Sequence, residues 1–160
     1  MWKIPRKIII TSGVGEGGTA LNAFDKALLD AGIGDLNLIR VTSVVPARAR
    51  ILRLKETGPL QIAPGTLVPA VYTFITSDNI GKTIGSAIAV GKPFVSERSG
   101  MIFEVSLVGS LDAARDIAER MVRESFQARG LEVGSITTEG SELVVSNGIG
   151  CVLSVVLMLP

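Results

Sequence analysis

Two hydroxyls and three polar side chains carry most of the chemistry this chain could do. Thr42-Ser43 lies in the run Asn-Leu-Ile-Arg-Val-Thr-Ser-Val-Val-Pro, which Asn37 opens and Pro46 closes. Asp25 ends Leu-Asn-Ala-Phe-Asp, and Glu104 follows Ile102 and Phe103. The 160 residues include no His and one Cys. Ser-His and Cys-His nucleophile pairs are therefore excluded, as are metal sites built on His. A Ser after a Thr says almost nothing alone. In a chain with so little other equipment, it gains weight as a Ser whose backbone can rearrange into a reactive carbonyl.

The elements that must hold these residues read as mixed α and β. Lys7 to Ser12 is a continuous β-branched run, expected as a buried strand that ends in a glycine-rich turn at Gly13, Gly15, Gly17 and Gly18. Thr19 is the expected N-cap of a helix whose apolar positions Ala20, Phe24, Ala27, Leu28 and Ala31 keep helical spacing, with Gly32 as C-cap. Asp25 borders that stripe, beside Leu21 and Leu28, where a partly shielded carboxylate would welcome a cation; a guanidinium satisfies it with two parallel hydrogen bonds. Leu36 to Val45 is expected as one strand, followed by an exposed excursion through Arg48, Arg50, Arg53, Lys55 and Glu56 to Pro64-Gly65. Strands are expected over Leu67–Thr76, Thr83–Val90 (a short helix being the alternative) and Met101–Val108. Ser110 caps a helix to about Ala128, and strands near Val133–Thr138 and Gly150–Leu159 finish the chain. Helices packed on sheets in a single domain, residues 1–160, is the implied α/β (α+β) fold class.

Gly13-Val-Gly15-Glu-Gly-Gly18 matches G-x-G-x-x-G, the glycine pattern of dinucleotide sites. Glu16 would set a negative charge among phosphates. The next strand ends in Thr42, Ser43 and Val44, with no acid for a ribose, and the βαβ repeat is missing. A turn into a helix is the better reading.

Several motifs in order carry a different likeness: Leu21–Asp25, Ala31-Gly-Ile-Gly34, Asn37–Arg40, Thr42–Pro46, Leu67-Val-Pro69, Ser77-Asp78, Thr83-Ile84 with Ala87-Ile88, and Ile102-Phe-Glu104. Through them the sequence resembles the pyruvoyl-dependent arginine decarboxylases from about Ile8 to Cys151. The likeness is strongest between Gly15 and Pro46 and thin over Arg48–Pro64 and the C-terminal third. It implies a four-layer αββα sandwich, a trimer or a multiple of one, and a chain that cuts itself into residues 1–42 and 43–160. The Ser43 hydroxyl would attack the Thr42 carbonyl, and elimination and hydrolysis would leave a pyruvoyl group at position 43. That covalent group, with no pyridoxal phosphate and no metal, would form a Schiff base with L-arginine and yield agmatine and CO2. By the same resemblance Glu104 is the proton donor, Asp25 receives the guanidinium, and Asn37 contacts the pyruvoyl region. Thr42 adds a methyl where Ser-Ser is common, which is expected to change the rate of cleavage more than its chemistry. Decarboxylation of another basic amino acid, or an uncleaved structural homologue, are the alternatives.

Composition agrees with a small-molecule enzyme. Sixteen basic and fifteen acidic residues are spread without blocks, so no footprint for nucleic acid or an anionic membrane is expected. Charged residues are only 19% of the chain, below the roughly 25% usual in soluble domains, and a homo-oligomer would cover the excess apolar surface. Cys151 sits in an apolar run and is expected to be a buried, inert thiol. No signal peptide or spanning segment is read, and a cytoplasmic location is expected.

Overall fold

The computed structural model describes residues 3–160. Apolar, β-branched runs build nine strands: β1 (Lys7–Gly17), β2 (Asn37–Arg40), β3 (Val44–Val45), β4 (Arg50–Arg53), β5 (Leu67–Ser77), β6 (Thr83–Pro93), β7 (Gly100–Val108), β8 (Val133–Val144) and β9 (Ile149–Leu159). Helices α1 (Ala20–Asp30), α2 (Leu54–Thr57) and α3 (Leu111–Ala128) complete a mixed α+β fold among the described residues. The first sheet has the order β2-β5-β9-β1-β4 and the second β3-β7-β6-β8. Alternation assigns each face. Ile9, Leu153 and Leu157 point to Ala23 and Ala27 of α1. Ile8, Ile10, Val71 and Val156 instead meet Ile88, Val90 and Ile102 of the second sheet. On that sheet's other face Ala89, Met101, Phe103 and Val105 pack on Ala118, Val122 and Phe126 of α3.

Both long helices are capped as expected. The Thr19 side chain accepts from the Asn22 N–H at 3.1 Å, and Ser110 from Ala113 at 3.2 Å. Gly32 and Gly130, just past the helix ends, have φ of 77° and 62°, a region that costs Gly no Cβ clash.

Several segments depart from the expectation. The glycine-rich stretch is no turn: β1 runs on through it, antiparallel to β9 as far as Gly17↔Ile149. Glycine is there because α1 lies so close. A Cβ at Gly13 would overlap the Ala27 carbonyl oxygen, and one at Gly15 would come within 2.6 Å of the Ala23 oxygen. The expected single strand Leu36–Val45 is two. β2 pairs in parallel with β5 in the first sheet, and β3 pairs antiparallel with β7 in the second. Thr83–Pro93 is strand throughout, its helix-friendly Ala and Gly residues overridden by burial on both faces; a side chain at Gly91 would displace Val122. Within the charged excursion Arg50–Arg53 adds a parallel strand to β1. β8 is twelve residues long, twice the expected run, because β6 offers a ladder partner along almost all of it.

Candidate active site

Thr42-Ser43 occupies the place where the chain leaves one sheet for the other. The last bond on the first sheet is the Val41 N–H donating to the Ala70 carbonyl at 3.0 Å. The first on the second sheet is the Ile102 N–H donating to the Ser43 carbonyl at 2.8 Å. Between them Thr42 is exposed and Ser43 half-buried. The residues upstream of Ser43 therefore belong to the first sheet and its helix, and Val44–Val45 to the second. A cut at this bond interrupts no ladder, and eleven register pairs between β1 and β9 would still hold the upstream piece.

Glu104 lies on β7 beside this crossover. It shares the face of Ile102, which is buried between the sheets, while Phe103 and Val105 turn toward α3. Its ladder neighbour is Ile88. Because Ser43 lies across from Ile102, Glu104 falls where β3 no longer covers β7. Burial raises its carboxyl pKa, against a smaller opposing pull from the Arg40 charge. A carboxyl whose hold on its proton is strengthened by burial, set beside a half-buried Ser, suits a general acid.

Arg40, a charge within a β-branched strand, has no role assigned from the sequence. Its guanidinium lies 4.2 Å from the Tyr72 ring centroid, a cation–π contact that holds the charge near the crossover. Its position three residues before Ser43 was the available signal; Tyr72 gave none, since a lone aromatic in a strand reads as core.

The other two expected residues stand apart. Asn37 begins β2, about 10 Å along the strand before Arg40. It is exposed, and its side-chain amide donates to the Gly65 carbonyl at 2.8 Å. Asp25 is exposed on α1, with exposed Leu21 and Leu29 one turn to either side and the Phe24–Phe74 ring pair, 4.5 Å between centroids, beneath. α1 covers the face of the first sheet opposite to the one that meets Glu104's sheet. One chain thus brings together Thr42, Ser43 and Glu104, and leaves Asn37 and Asp25 outside that group.

Cys151 is buried and its thiol is pushed up to about 12 by desolvation, which leaves it inert as expected. Glu16 accepts from the Ser146 N–H at 2.6 Å, the Asn147 N–H at 3.0 Å and the Ser146 hydroxyl at 2.9 Å. These bonds tie β1 to the β8–β9 turn and depress its carboxyl pKa. No helix among the described residues is long and apolar enough to cross a membrane.

Residues 7–160 match the family model described as pyruvoyl-dependent arginine decarboxylase. Curated relatives of that name include one from Thermococcus kodakarensis, 37% identical over 99% of this chain and 98% of its own length. Others come from Methanococcus aeolicus, 38% identical over 98% of this chain and 92% of the relative, and from Pyrococcus furiosus, 38% identical over 99% and 98%. Among solved structures, a pyruvoyl-dependent histidine decarboxylase at pH 8 superposes with a TM-score of 0.54 at 17% identity. It covers 64% of this chain and 54% of that one, a likeness of fold.

Proposed function

We propose, on the premise that this chain belongs to the pyruvoyl-dependent arginine decarboxylase family, that it converts L-arginine to agmatine and CO2 after cutting itself between Thr42 and Ser43. The observation that carries this reading is the crossover: a Thr-Ser bond between an exposed and a half-buried residue, held on both sides by the two sheets and crossed by no ladder.

The self-cleavage begins with the Ser43 oxygen adding to the Thr42 carbonyl carbon, which moves the acyl group from nitrogen to oxygen. Loss of the Ser43 α-proton then expels Thr42 as a carboxylate. Water replaces the nitrogen left on the unsaturated residue, ammonia departs, and a ketone remains at position 43. The Ile102 N–H bonds to the Ser43 carbonyl, an atom the cut leaves intact, so the new terminus stays on β7. The site suits such a group, being half-buried and flanked by one raised-pKa carboxyl. When formed, the ketone offers a substrate amine a carbonyl to condense with and a sink for the electron pair left by CO2.

The remaining steps fall to side chains. Glu104, protonated, delivers a proton to the substrate α-carbon. Asp25 receives the guanidinium, and Asn37 orients the reacting carbonyl. Asp25 and Glu104 lie on opposite sides of the first sheet, so Asp25 serves the crossover of a neighbouring copy. The fold reading that goes with this is a helix–sheet–sheet–helix sandwich assembled as a trimer or its multiple, in the cytoplasm.

Denaturing mass spectrometry tests the first step: two fragments divided at 42/43, the larger with a carbonyl-bearing blocked N-terminus, are expected. A single intact chain from an active preparation would refute it. Release of labelled CO2 from arginine, lysine and ornithine tests the substrate. Asp25→Asn should raise KM for arginine about 10- to 100-fold by leaving the guanidinium without its charged acceptor, and an unchanged KM would remove that assignment.

A further inference from the structure

We propose that the Thr73–Ser106 hydroxyl pair is a positioning device for the Thr42–Ser43 bond: by tying β5 to β7 it fixes the offset between the sheets that the crossover must span. The inference rests on the self-cleavage reading above.

The topology places this pair as the second tie around one opening. β2 pairs with β5 and β3 pairs with β7, so residues 41–43 join the two sheets covalently at that edge. Thr73 of β5 and Ser106 of β7 join the same two neighbours through a hydrogen bond of 3.0 Å. Glu104 sits on β7 between the two ties, Ile102 bonded to the crossover and Ser106 to β5.

The pair is the near end of a polar belt through the apolar interior. In the first sheet Thr73 lies across from Ser154, and Ser154 across from Ser12. In the second, Ser86 lies across from both Ser106 and Ser141. The rows interlock: Ser86 bonds Ser154 at 2.9 Å and Ser106 at 3.2 Å, Ser141 donates to the Gly13 carbonyl at 3.2 Å, and Ser12 donates to the Gly140 carbonyl at 3.0 Å. At the far edge Arg53 closes the belt on Glu139 at 2.9 Å. Isoleucine and valine clusters fill the gap on either side of it.

Apolar contact is non-directional and tolerates small slides of one sheet over the other, whereas a hydrogen bond fails over a few tenths of an ångström and a few tens of degrees. Slides matter at the crossover because it has little slack. Packed sheets stand about 10 Å apart, and the four steps from Arg40 to Val44 reach about 14 Å at full extension. A shift of the sheets is passed directly to the angle between the Ser43 oxygen and the Thr42 carbonyl, and a displacement near 1 Å can cost about a hundredfold in rate.

The test compares Thr73→Val, which keeps shape and deletes the hydroxyl, with Thr73→Ser, which restores it. Val152→Ala, in the apolar cluster away from the crossover, is the control for lost stability alone. Self-cleavage of freshly synthesised full-length protein should slow about tenfold or more in Thr73→Val, recover in Thr73→Ser, and proceed at the wild-type rate in Val152→Ala at a matched unfolding midpoint. Equal slowing of Thr73→Val and the control, or no slowing, overturns the proposal. Hydrogen exchange at the Val41 and Ile102 amides, in a Ser43→Ala background, reads the same tie without cleavage: Thr73→Val should lose protection at both. Lost protection in a protein whose parent never cleaves would sink the self-cleavage reading and leave the tie standing; unchanged protection would sink the tie.

Discussion

The glycine-rich end of β1 and the crossover at residues 41–43, separated in the chain by α1 and β2, have exchanged appearances. Gly13–Gly17, which looks like a loop, is ladder-paired strand pressed under a helix. Val41–Ser43, which looks like the interior of a β-branched strand, is the one break between two sheets in that run. The difference teaches that side-chain type records what a residue must pack against more faithfully than which backbone state it adopts. Glycine in β1 answers the approach of α1. Val41 and Val45, on either side of Ser43, answer packing between the two sheets.

If the contrast is sound, changes at the crossover should remove chemistry and spare the fold, and changes in β1 should do the reverse. The largest effect is expected for Ser43→Ala: no fragments, no CO2 release, and an unfolding midpoint within experimental error of the Ser43 precursor. Activity in that variant would break the comparison outright.

Next is Glu104→Gln, which should cleave normally yet lose roughly 100-fold or more in kcat. Its pH behaviour sharpens the point. Burial raises the Glu104 pKa, so the proton-donating form persists above the ordinary carboxylate range and activity should fall as pH rises through the raised value. The sign for stability is the same, since the folded state binds the proton more tightly than the unfolded one. Stability falls as pH climbs from the ordinary pKa toward the raised one. A rate profile without that alkaline limb would argue against Glu104 as the acid.

Gly13→Val should act on the other region. Its side chain has nowhere to go but into the Ala27 carbonyl, at a cost of about 3 kcal/mol in chemical denaturation. The molecules that fold should still cut themselves, and loss of cleavage without loss of stability would contradict the division of labour. Smallest is Glu16→Gln, at the exposed end of β1. Its three hydrogen bonds lower its pKa, so they stabilise the fold above the ordinary carboxylate range and are lost as pH falls through the depressed value. The substitution should flatten the acid side of the stability profile and leave turnover untouched.

Much of the molecule was readable before folding. Thr19 and Ser110 announced both long helices, and the runs at Lys7–Ser12, Met101–Val108 and Gly150–Leu159 announced strands, because caps and apolar periods are local. The Arg50–Arg53 strand was hidden by its charges. Arg53 is met there by the Glu139 carboxylate and the Thr138 carbonyl, both from the other sheet. The hydroxyl belt was equally hidden: Thr73, Ser86, Ser106 and Ser154 are each an unremarkable polar residue in an apolar strand, and only ladder register together with the packing of one sheet on the other brings them into contact.

By itself the sequence determined the chemical inventory: no imidazole, one sequestered thiol, a Thr-Ser bond among β-branched residues, and motifs enough to name the family. Tertiary structure decided where that bond lies, that Glu104 is partly desolvated, and that Asp25 and Glu104 lie on opposite sides of the first sheet. Residue types carry reactivity, which is local. Desolvation and proximity depend on strands far apart in the chain, and only their pairing creates them.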